Sequence, residues 1–306
     1  MTGYRAASEA LIRVPTGVSH PVARSLFLGG YWAWPRKRRI IEANAARILG
    51  KPERDPEVRR LARRIYATYA RFVVELMRLP GMAADEPQRL VRDEGERSGE
   101  SFMALWERCR SEGRGIIAVG GHIGSIEVFA GAFAARGLPT YGLADDTAYP
   151  ELFELLNRQR RRWGVGVIPW RNLREVYRVL RLPAVLGLLV DWGYRSDGVP
   201  VKLFDRWTAL PAGPAQLAAR TRAVIVPVVN RRQEDGTYVA THDEPIEVSD
   251  ASPRSIQAAT QAIANALERM VAVAPEQWYT FKPVWPDSAE EEAELEARAR
   301  AMAADG

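Results

Sequence analysis

GGHIGSIE, at residues 120–127, is the stretch from which the fold and the chemistry of this chain are inferred. It follows an apolar run at residues 115–119, which is typical of a buried strand, and precedes apolar residues 128–133, which are typical of a helix. His122 is therefore expected where a strand ends and a helix begins, which is where open α/β sheets bind ligands. With Glu127 five positions later, the histidine is a candidate for an oriented general base.

Apolar segments alternate with helical patterns from residue 115 onward. Strands are predicted at residues 115–119, 140–143, 166–168, 185–190, 199–204, 223–229, 238–241 and 246–248. Helices are predicted among them at residues 150–163, 172–180, 212–220 and 253–271. This alternation predicts an α/β fold with a central, mainly parallel sheet flanked by helices on both faces.

The regions on either side of this alternation differ from it. Residues 1–112 are predicted to be an N-terminal helical region, with helical apolar spacing at residues 38–49, 56–79 and 100–110. Residues 113–286 are expected to form the α/β core. Residues 287–306, rich in Ala, Glu and Arg, are expected to be a charged C-terminal tail, either a solvated helix or a frayed end.

An apolar, aromatic segment at residues 22–34 is followed directly by the basic cluster PRKRR at residues 35–39. This pairing is typical of an interfacial anchor that contacts an anionic membrane surface. A buried helix followed by a solvated turn explains the same residues. No uninterrupted apolar run of about 18 residues occurs, so no membrane-spanning helix is predicted. Residues 1–22 also lack the continuous apolar core of a cleaved signal.

Composition limits the classes of partner. The 306 residues carry a net charge of +5, which suits nucleic acid, an anionic membrane surface or an acidic substrate. No zinc-finger spacing and no helix-turn-helix signature is present, so nucleic acid is not expected as a partner. The nine tryptophans favour a lipid interface. The single cysteine, Cys109, excludes an internal disulfide and is expected to be a small core residue.

The chemistry is expected to depend on His122. The chain has only three histidines, so a metal site built from several of them is not expected, and no cofactor is expected either. Neutral imidazole can take a proton from a hydroxyl group near pH 7. Gly121 and Gly124 permit close approach of the backbone, and amides near Gly124 or Gly213 are candidates to stabilise an oxyanion. A satisfied structural histidine is the alternative interpretation.

Two carboxylates are candidates to orient this histidine. On a regular helix Glu127 would lie about 140° around the axis from position 122, so the two can meet only if His122 is in the turn before the helix. Asp191 closes the apolar run at residues 185–190 and therefore also lies at the carboxyl end of a strand. The sequence leaves open which acid contacts the imidazole.

Several other residues are candidate substrate contacts. Arg195 lies in a turn-rich loop and could bind phosphate or another anion, or could pair locally with Asp197. LPAGPA, at residues 210–215, starts a helix whose amides could bind an anion, or it packs closely on the sheet. Ser125 lacks the G-x-S-x-G elbow of serine nucleophiles and is expected to be a polar residue at the helix start. The candidate substrate-binding residues are Gly124, Ser125, Arg195, Leu210, Pro211 and Gly213.

Together these motifs resemble those of one family. The pair His122 and Glu127 resembles the H-x4-D/E motif of the glycerolipid acyltransferase superfamily. Residues 191–199 and 210–215 resemble the bacterial lipid A late acyltransferase family, in particular its phosphatidylinositol mannoside acyltransferase branch. PEQW at residues 275–278, followed by FKP, is similar to the closing segment of that family, and residues 41–50 are similar to its N-terminal E-x-N pattern.

The resemblance implies an α/β domain with an apolar groove for an acyl chain. It implies acyl transfer from a thioester, acyl-CoA or acyl-carrier protein, to a hydroxyl group of a glycolipid or lipid precursor, by a peripheral protein at the cytoplasmic face of the membrane. Carried over to this chain, His122 is the catalytic base, Glu127 matches the motif acid, and Asp191 takes the position of a carboxylate that pairs with the histidine. The branch usually carries Asp at the first acidic position and Glu at the second, the reverse of this chain. No covalent acyl-enzyme is expected.

Other functions explain part of the same pattern. An acyl thioesterase or other hydrolase would use the same base to activate water. A non-catalytic lipid-binding or membrane-scaffold protein would keep the groove and would not need His122. A nucleotide-binding α/β protein is disfavoured, because neither G-x-G-x-x-G nor a P-loop is present.

Overall fold

The computed structural model describes residues 2–95, 99–144 and 150–305. The helices within these ranges are α1 (Thr2–Arg13), α2 (Thr16–Ala33), α3 (Pro35–Leu49), α4 (Pro56–Arg78), α5 (Glu86–Leu90), α6 (Phe102–Ser111), α7 (Ile126–Ala135), α8 (Pro150–Arg162), α9 (Leu173–Leu180), α10 (Gly213–Thr221), α11 (Pro253–Val273) and α12 (Ala289–Ala304). The strands are β1 (Val91–Gly95), β2 (Ile116–Gly120), β3 (Thr140–Ala144), β4 (Gly166–Pro169), β5 (Val185–Leu189), β6 (Val199–Leu203), β7 (Arg206–Leu210), β8 (Val224–Arg232) and β9 (Tyr238–His242). Helices therefore precede an alternation of strands and helices, as predicted.

Seven of these strands form one sheet, in the order β1-β9-β8-β2-β5-β3-β4. The pairs from β8 to β4 are all parallel, whereas β9 runs antiparallel to β8 and β1 is parallel to β9. The predicted mainly parallel sheet is confirmed. Gly120 at the end of β2 lies opposite Leu189 at the end of β5, so the carboxyl ends of these two strands meet at one edge.

Apolar clusters cover both faces of the sheet, because successive residues of a strand point to opposite sides. On one face Ile117 and Leu186 pack with residues of α9, α10 and α11. On the other face Ile116 and Val185 pack with residues of α6, α7 and α8. The predicted arrangement of helices on both faces is confirmed. Cys109 is buried in the second cluster, as expected for a core residue.

The strand predicted at residues 199–204 does not belong to the main sheet. β6 pairs antiparallel with β7 in a separate hairpin, which packs against α11 and α12. The two turn residues, Phe204 and Asp205, have φ angles of 50° and 56°, the left-handed conformation that a type I′ hairpin turn requires. Glycine or asparagine usually marks such a turn, and neither is present here, which is why β7 is not evident from the sequence.

Two other strand assignments differ from the sequence predictions. The strand predicted at residues 246–248 is reduced to an isolated bridge between Ile246 and Ile225. β1 was not predicted, because its sequence VRDEG has no apolar alternation. It joins the sheet edge from within residues 1–112, so this region contributes to the sheet as well as forming helices. The division at residues 112 and 286 stays a prediction.

The terminal regions pack against the rest of the chain. α3 and α4 enclose an apolar cluster that includes Ile41 and Ile65. The C-terminal segment forms α12, with Leu295 and Ala299 buried and Glu292 paired with Arg206 of the hairpin. It is therefore a helix packed along one face rather than a frayed end. Among the described residues, no helix has the length and the hydropathy that crossing a bilayer requires.

Candidate active site

His122 lies in the connection between β2 and α7, at the edge where β2 and β5 end together. Asp191, just beyond β5, accepts two hydrogen bonds from it. Its Oδ1 lies 2.7 Å from the imidazole Nδ1, and its Oδ2 lies 2.7 Å from the backbone nitrogen of His122. The proton on Nδ1 is donated to the carboxylate, which leaves Nε2 as the basic nitrogen. The two strand ends thus bring the imidazole and a carboxylate together, as their positions in the sequence suggested.

The carboxylate of Asp191 is buried, with 3% of the residue exposed. Besides the two donors of His122, the indole Nε1 of Trp278 donates to Oδ2 at 2.7 Å. Trp278 is the aromatic residue of the PEQW segment, which gives that segment a direct role in holding the acid. A buried charge requires such partners, and here three donors supply them.

The electrostatics of the pair favour a charged imidazole beside a charged carboxylate. Burial acts to lower the pKa of His122, but the charge and the hydrogen bond of Asp191 outweigh it and raise that pKa, with Lys282 opposing the rise. Burial acts to raise the pKa of Asp191, but His122 and the indole of Trp278 outweigh it and lower that pKa. The carboxylate is therefore suited to stabilise the imidazolium that forms when His122 accepts a proton.

The glycines that flank His122 are required by close contacts. A Cβ on Gly121 would lie 2.9 Å from Oδ2 of Asp191. Gly124 has a φ of +62°, and a Cβ there would lie 1.7 Å from the backbone oxygen of Asn230. The expected close approach is therefore present. The amide of Gly124, however, donates to the backbone oxygen of Gln277 at 3.4 Å, so it is committed within the protein rather than open to an oxyanion.

Glu127 is bound to a different partner from the one that the H-x4-E spacing suggested. It lies in the first turn of α7, and both of its carboxylate oxygens accept from the guanidinium of Arg160 on α8, at 2.8 and 2.5 Å. The pair is mostly buried. The sequence left two acids open, and the structure places Asp191 against His122 and Glu127 against Arg160.

An apolar cavity lies between the sheet and α7, and its lining includes Gly121 and Ile123, the residues on either side of His122 in the chain. Its walls include Ile123, Phe129 of α7, Tyr141 of β3 and Val228 of β8, and the Glu127–Arg160 pair borders it. Gly142 and Gly187 line it from adjacent strands and have no side chains to fill it. An extended apolar ligand in this cavity would meet hydrocarbon on most sides.

Trp192 covers the imidazole on the outer side of the site. The two rings are nearly parallel, with an interplanar angle of 8° and centroids 5.2 Å apart. The ammonium nitrogen of Lys282 lies 4.3 Å from the centroid of the same indole. Because 57% of Trp192 is exposed, the indole forms part of the rim where His122 meets solvent.

Arg195 and Ser125 have local partners. Arg195 is exposed, and its guanidinium donates to the two carboxylate oxygens of Asp197 at 3.0 and 2.8 Å, which is the local ion pair that the sequence offered as the alternative. The hydroxyl of Ser125 accepts from the amide of Val128 at 3.4 Å and caps α7. This is the helix-start role expected for it.

The candidates at the start of α10 lie away from the cavity. Leu210 is buried with Val201 and Ala264, between the hairpin and α11. Pro211 and Gly213 follow it into α10, and none of these three residues lines the cavity beside His122. Leu210 therefore fits the close-packing interpretation, whereas Pro211 is exposed and a Cβ on Gly213 would meet no atom within 4 Å.

Four residues of the site were given no role from the sequence: Arg160, Trp192, Trp278 and Lys282. The sequence gives a reason to consider two of them: Trp192 directly follows Asp191 at the strand end, and Trp278 belongs to the PEQW segment. No pattern in the sequence distinguishes Arg160, because it is one of several arginines in α8 and lies 33 residues from Glu127.

Comparison with known proteins identifies a family for this chain. Residues 11–286 match the family model described as bacterial lipid A biosynthesis acyltransferase. The chain is 30% identical to a phosphatidylinositol mannoside acyltransferase of Mycolicibacterium smegmatis over 257 residues, which cover 80% of this chain and 78% of that protein. It is 25% identical to a protein of the same description from Mycobacterium tuberculosis over 269 residues, covering 85% and 81% of the two chains.

Proposed function

This chain belongs to the bacterial lipid A biosynthesis acyltransferase family, and we propose that it moves an acyl chain from a thioester to a glycolipid hydroxyl with His122 as the general base. The observation that carries the proposal is the contact between the imidazole Nδ1 and the buried carboxylate of Asp191, beside an apolar cavity. This contact leaves Nε2 available to remove a proton from an alcohol.

In the proposed reaction, Nε2 of His122 takes the proton of the acceptor hydroxyl as its oxygen attacks the thioester carbonyl carbon. The carbon–sulfur bond then breaks, the leaving thiolate takes the proton back from Nε2, and an ester remains. Asp191 stabilises the imidazolium between these two proton transfers. No covalent acyl-enzyme is involved.

The apolar cavity is proposed to hold the acyl chain during transfer. Hydrocarbon walls favour burial of each methylene by about 0.8 kcal/mol. We propose acyl-CoA or acyl-carrier protein as the donor, because both present a thioester on an anionic carrier and the chain is basic overall. The two relatives are named for phosphatidylinositol mannoside, so a mannosylated phosphatidylinositol is the first acceptor to test.

A transfer assay separates this function from hydrolysis. The purified protein is incubated with palmitoyl-CoA, with and without phosphatidylinositol mannoside, and ester and free fatty acid are quantified by mass spectrometry. We expect ester to accumulate only with the acceptor, and the release of CoA to increase with it. Equal amounts of free fatty acid in both reactions would identify a thioesterase, and no turnover of any thioester offered would identify a lipid-binding protein.

A peripheral position on the cytoplasmic face of the membrane is also proposed, with α2 as the contact. Val18, Val22 and Leu26 follow a spacing of four along this helix and are 56%, 54% and 70% exposed. The helix is therefore not fully buried, and the basic residues at positions 36–39 begin α3 next to it. An apolar helix face beside cationic side chains suits an anionic lipid surface.

Loss of this apolar face is expected to weaken membrane binding. Leu26→Ser should lower the partition onto vesicles of phosphatidylglycerol and phosphatidylcholine by about 10- to 100-fold, because burial of one leucine contributes roughly 1.5–3 kcal/mol. Sedimentation with vesicles measures the bound fraction. Val273→Ser is the matched control, since Val273 is 61% exposed at the end of α11. Equal binding of both variants would remove α2 from the contact.

A further inference from the structure

The loop that carries Trp192 is fixed from one side by the segment at residues 278–283. The amide of Tyr194 donates to the backbone oxygen of Pro283 at 2.8 Å. Gly193 has a φ of +104°, and a Cβ there would lie 3.0 Å from Cβ of Lys282. The side chain of Lys282 therefore packs directly on the loop, and its ammonium group lies over the indole of Trp192.

The same segment is held from the N-terminal region. Asn44 of α3 is buried, and its side-chain amide donates to the backbone oxygen of Lys282 at 2.9 Å. Asn44 belongs to the E-x-N pattern of the sequence, and no step of the reaction uses it. Its hydrogen bond fixes the backbone from which Lys282 reaches Trp192.

Resting on the proposed function, we propose that Trp192 is a positioning residue that keeps the imidazole of His122 in the orientation in which Nε2 meets the acceptor hydroxyl. A single hydrogen bond at Nδ1 tolerates a broad range of angles, whereas a parallel indole restricts the tilt of the ring. An aromatic face also favours the imidazolium that forms during transfer. Lys282 holds the indole in place, and its positive charge disfavours the positive charge of the imidazolium.

Among the described residues, the charges that act on the imidazole of His122 are those of Asp191 and Lys282, so the effect of Lys282 is measurable. Asp191 contacts the ring from the end of β5, and Lys282 lies on the outer side beyond Trp192. Glu127 on α7 is paired with Arg160. Removal of the ammonium group takes away the charge that opposes Asp191, and this favours the protonated imidazole.

The test compares Trp192→Ala, Trp192→Phe and Lys282→Met with Trp207→Ala as the matched control. Trp207 also lies under a lysine, with Nζ of Lys202 5.3 Å from its centroid, but it belongs to the β6–β7 hairpin. For each variant, kcat and KM for palmitoyl-CoA and the acceptor are measured across pH. The imidazole of His122 is titrated by NMR, which is practical because the chain has three histidines.

We expect Trp192→Ala to lower kcat about 10- to 100-fold with KM values near those of the wild type, since a small misplacement of a catalytic group has an effect of this size. Trp192→Phe should restore most of the loss, and Trp207→Ala should change neither constant. Lys282→Met should raise the pKa of His122. Both the acid limb of the rate profile and the midpoint of the NMR titration of His122 should therefore move to higher pH.

Other results overturn the inference. A rise in KM at constant kcat in Trp192→Ala would make Trp192 a substrate contact, and a phenylalanine variant no better than the alanine variant would remove the role of the aromatic plane. An unchanged NMR titration in Lys282→Met would remove the role of Lys282. Because this titration requires no turnover, it is read separately from the transfer assay, in which failure to form ester with the acceptor would overturn the proposed function itself.

Discussion

His122→Ala is expected to lower kcat for ester formation about 10²–10⁴-fold, because the variant has no group to take the proton of the attacking hydroxyl. Asp191→Asn should cause a loss within the same range, since an amide in place of the carboxylate neither stabilises the imidazolium nor fixes the tautomer. The double variant should lose no more than the more impaired single variant, because base and acid act as one unit. Single-turnover assays with purified proteins measure all three losses.

The pH dependence gives a second measurement of the same pair. His122 must be neutral to act as a base, and the carboxylate of Asp191 raises its pKa. As the pH is lowered, the wild-type rate should therefore begin to fall at a pH above the ordinary pKa of a histidine, which is about 6.5. In Asp191→Asn this raising influence is lost, and the acid limb should move to lower pH. Near wild-type turnover in His122→Ala, or additive losses in the double variant, would contradict the proposed mechanism.

Glu127→Ala is expected to lower the free energy of unfolding by about 3–5 kcal/mol, because it leaves the mostly buried guanidinium of Arg160 without its bidentate partner. Arg160→Ala should have an effect of similar size. The double variant Glu127→Gln with Arg160→Met should recover much of the stability, since neither charge is then buried alone. Urea denaturation, with the midpoint and the slope compared among variants, measures these changes.

This prediction also separates the two acids. The activity per folded molecule of Glu127→Ala should fall much less than that of His122→Ala when both are assayed at a temperature where the variant is folded. A variant of normal stability with a loss of kcat equal to that of His122→Ala would instead make Glu127 part of the proton transfer.

The sequence predicted the α/β layers and the meeting of His122 with a strand-end acid because both depend on regular patterns. Apolar runs identify buried parallel strands, and adjacent parallel strands bring their carboxyl ends together. The strands that were missed lack those patterns. β1 carries charged residues at the sheet edge, and β7 follows a turn in which Phe204 has a left-handed conformation that its residue type seldom adopts.

The choice between Glu127 and Asp191 depended on contacts that no local pattern records. The spacing of Glu127 from His122 is compatible with a contact, and only the position of Arg160 on α8 shows where its carboxylate is bound. The indole of Trp278 reaches Asp191 across 87 residues, and Lys282 reaches Trp192 through the packing of two loops. Sequence motifs identify these segments, but the partner of each side chain depends on how distant segments pack against one another.

The hydrogen bond from Trp278 to Asp191 has a consequence for synthesis of the chain. Ribosomes make Asp191 87 residues before the indole that donates to it. Until residue 278 has left the exit tunnel, the carboxylate lacks one of its three donors, and the loop of Trp192 lacks the segment that fixes it. A nascent polypeptide that already has the strands β2 and β5 therefore still lacks part of the site, and we expect prematurely terminated translation products that end before this tryptophan not to consume acyl donors.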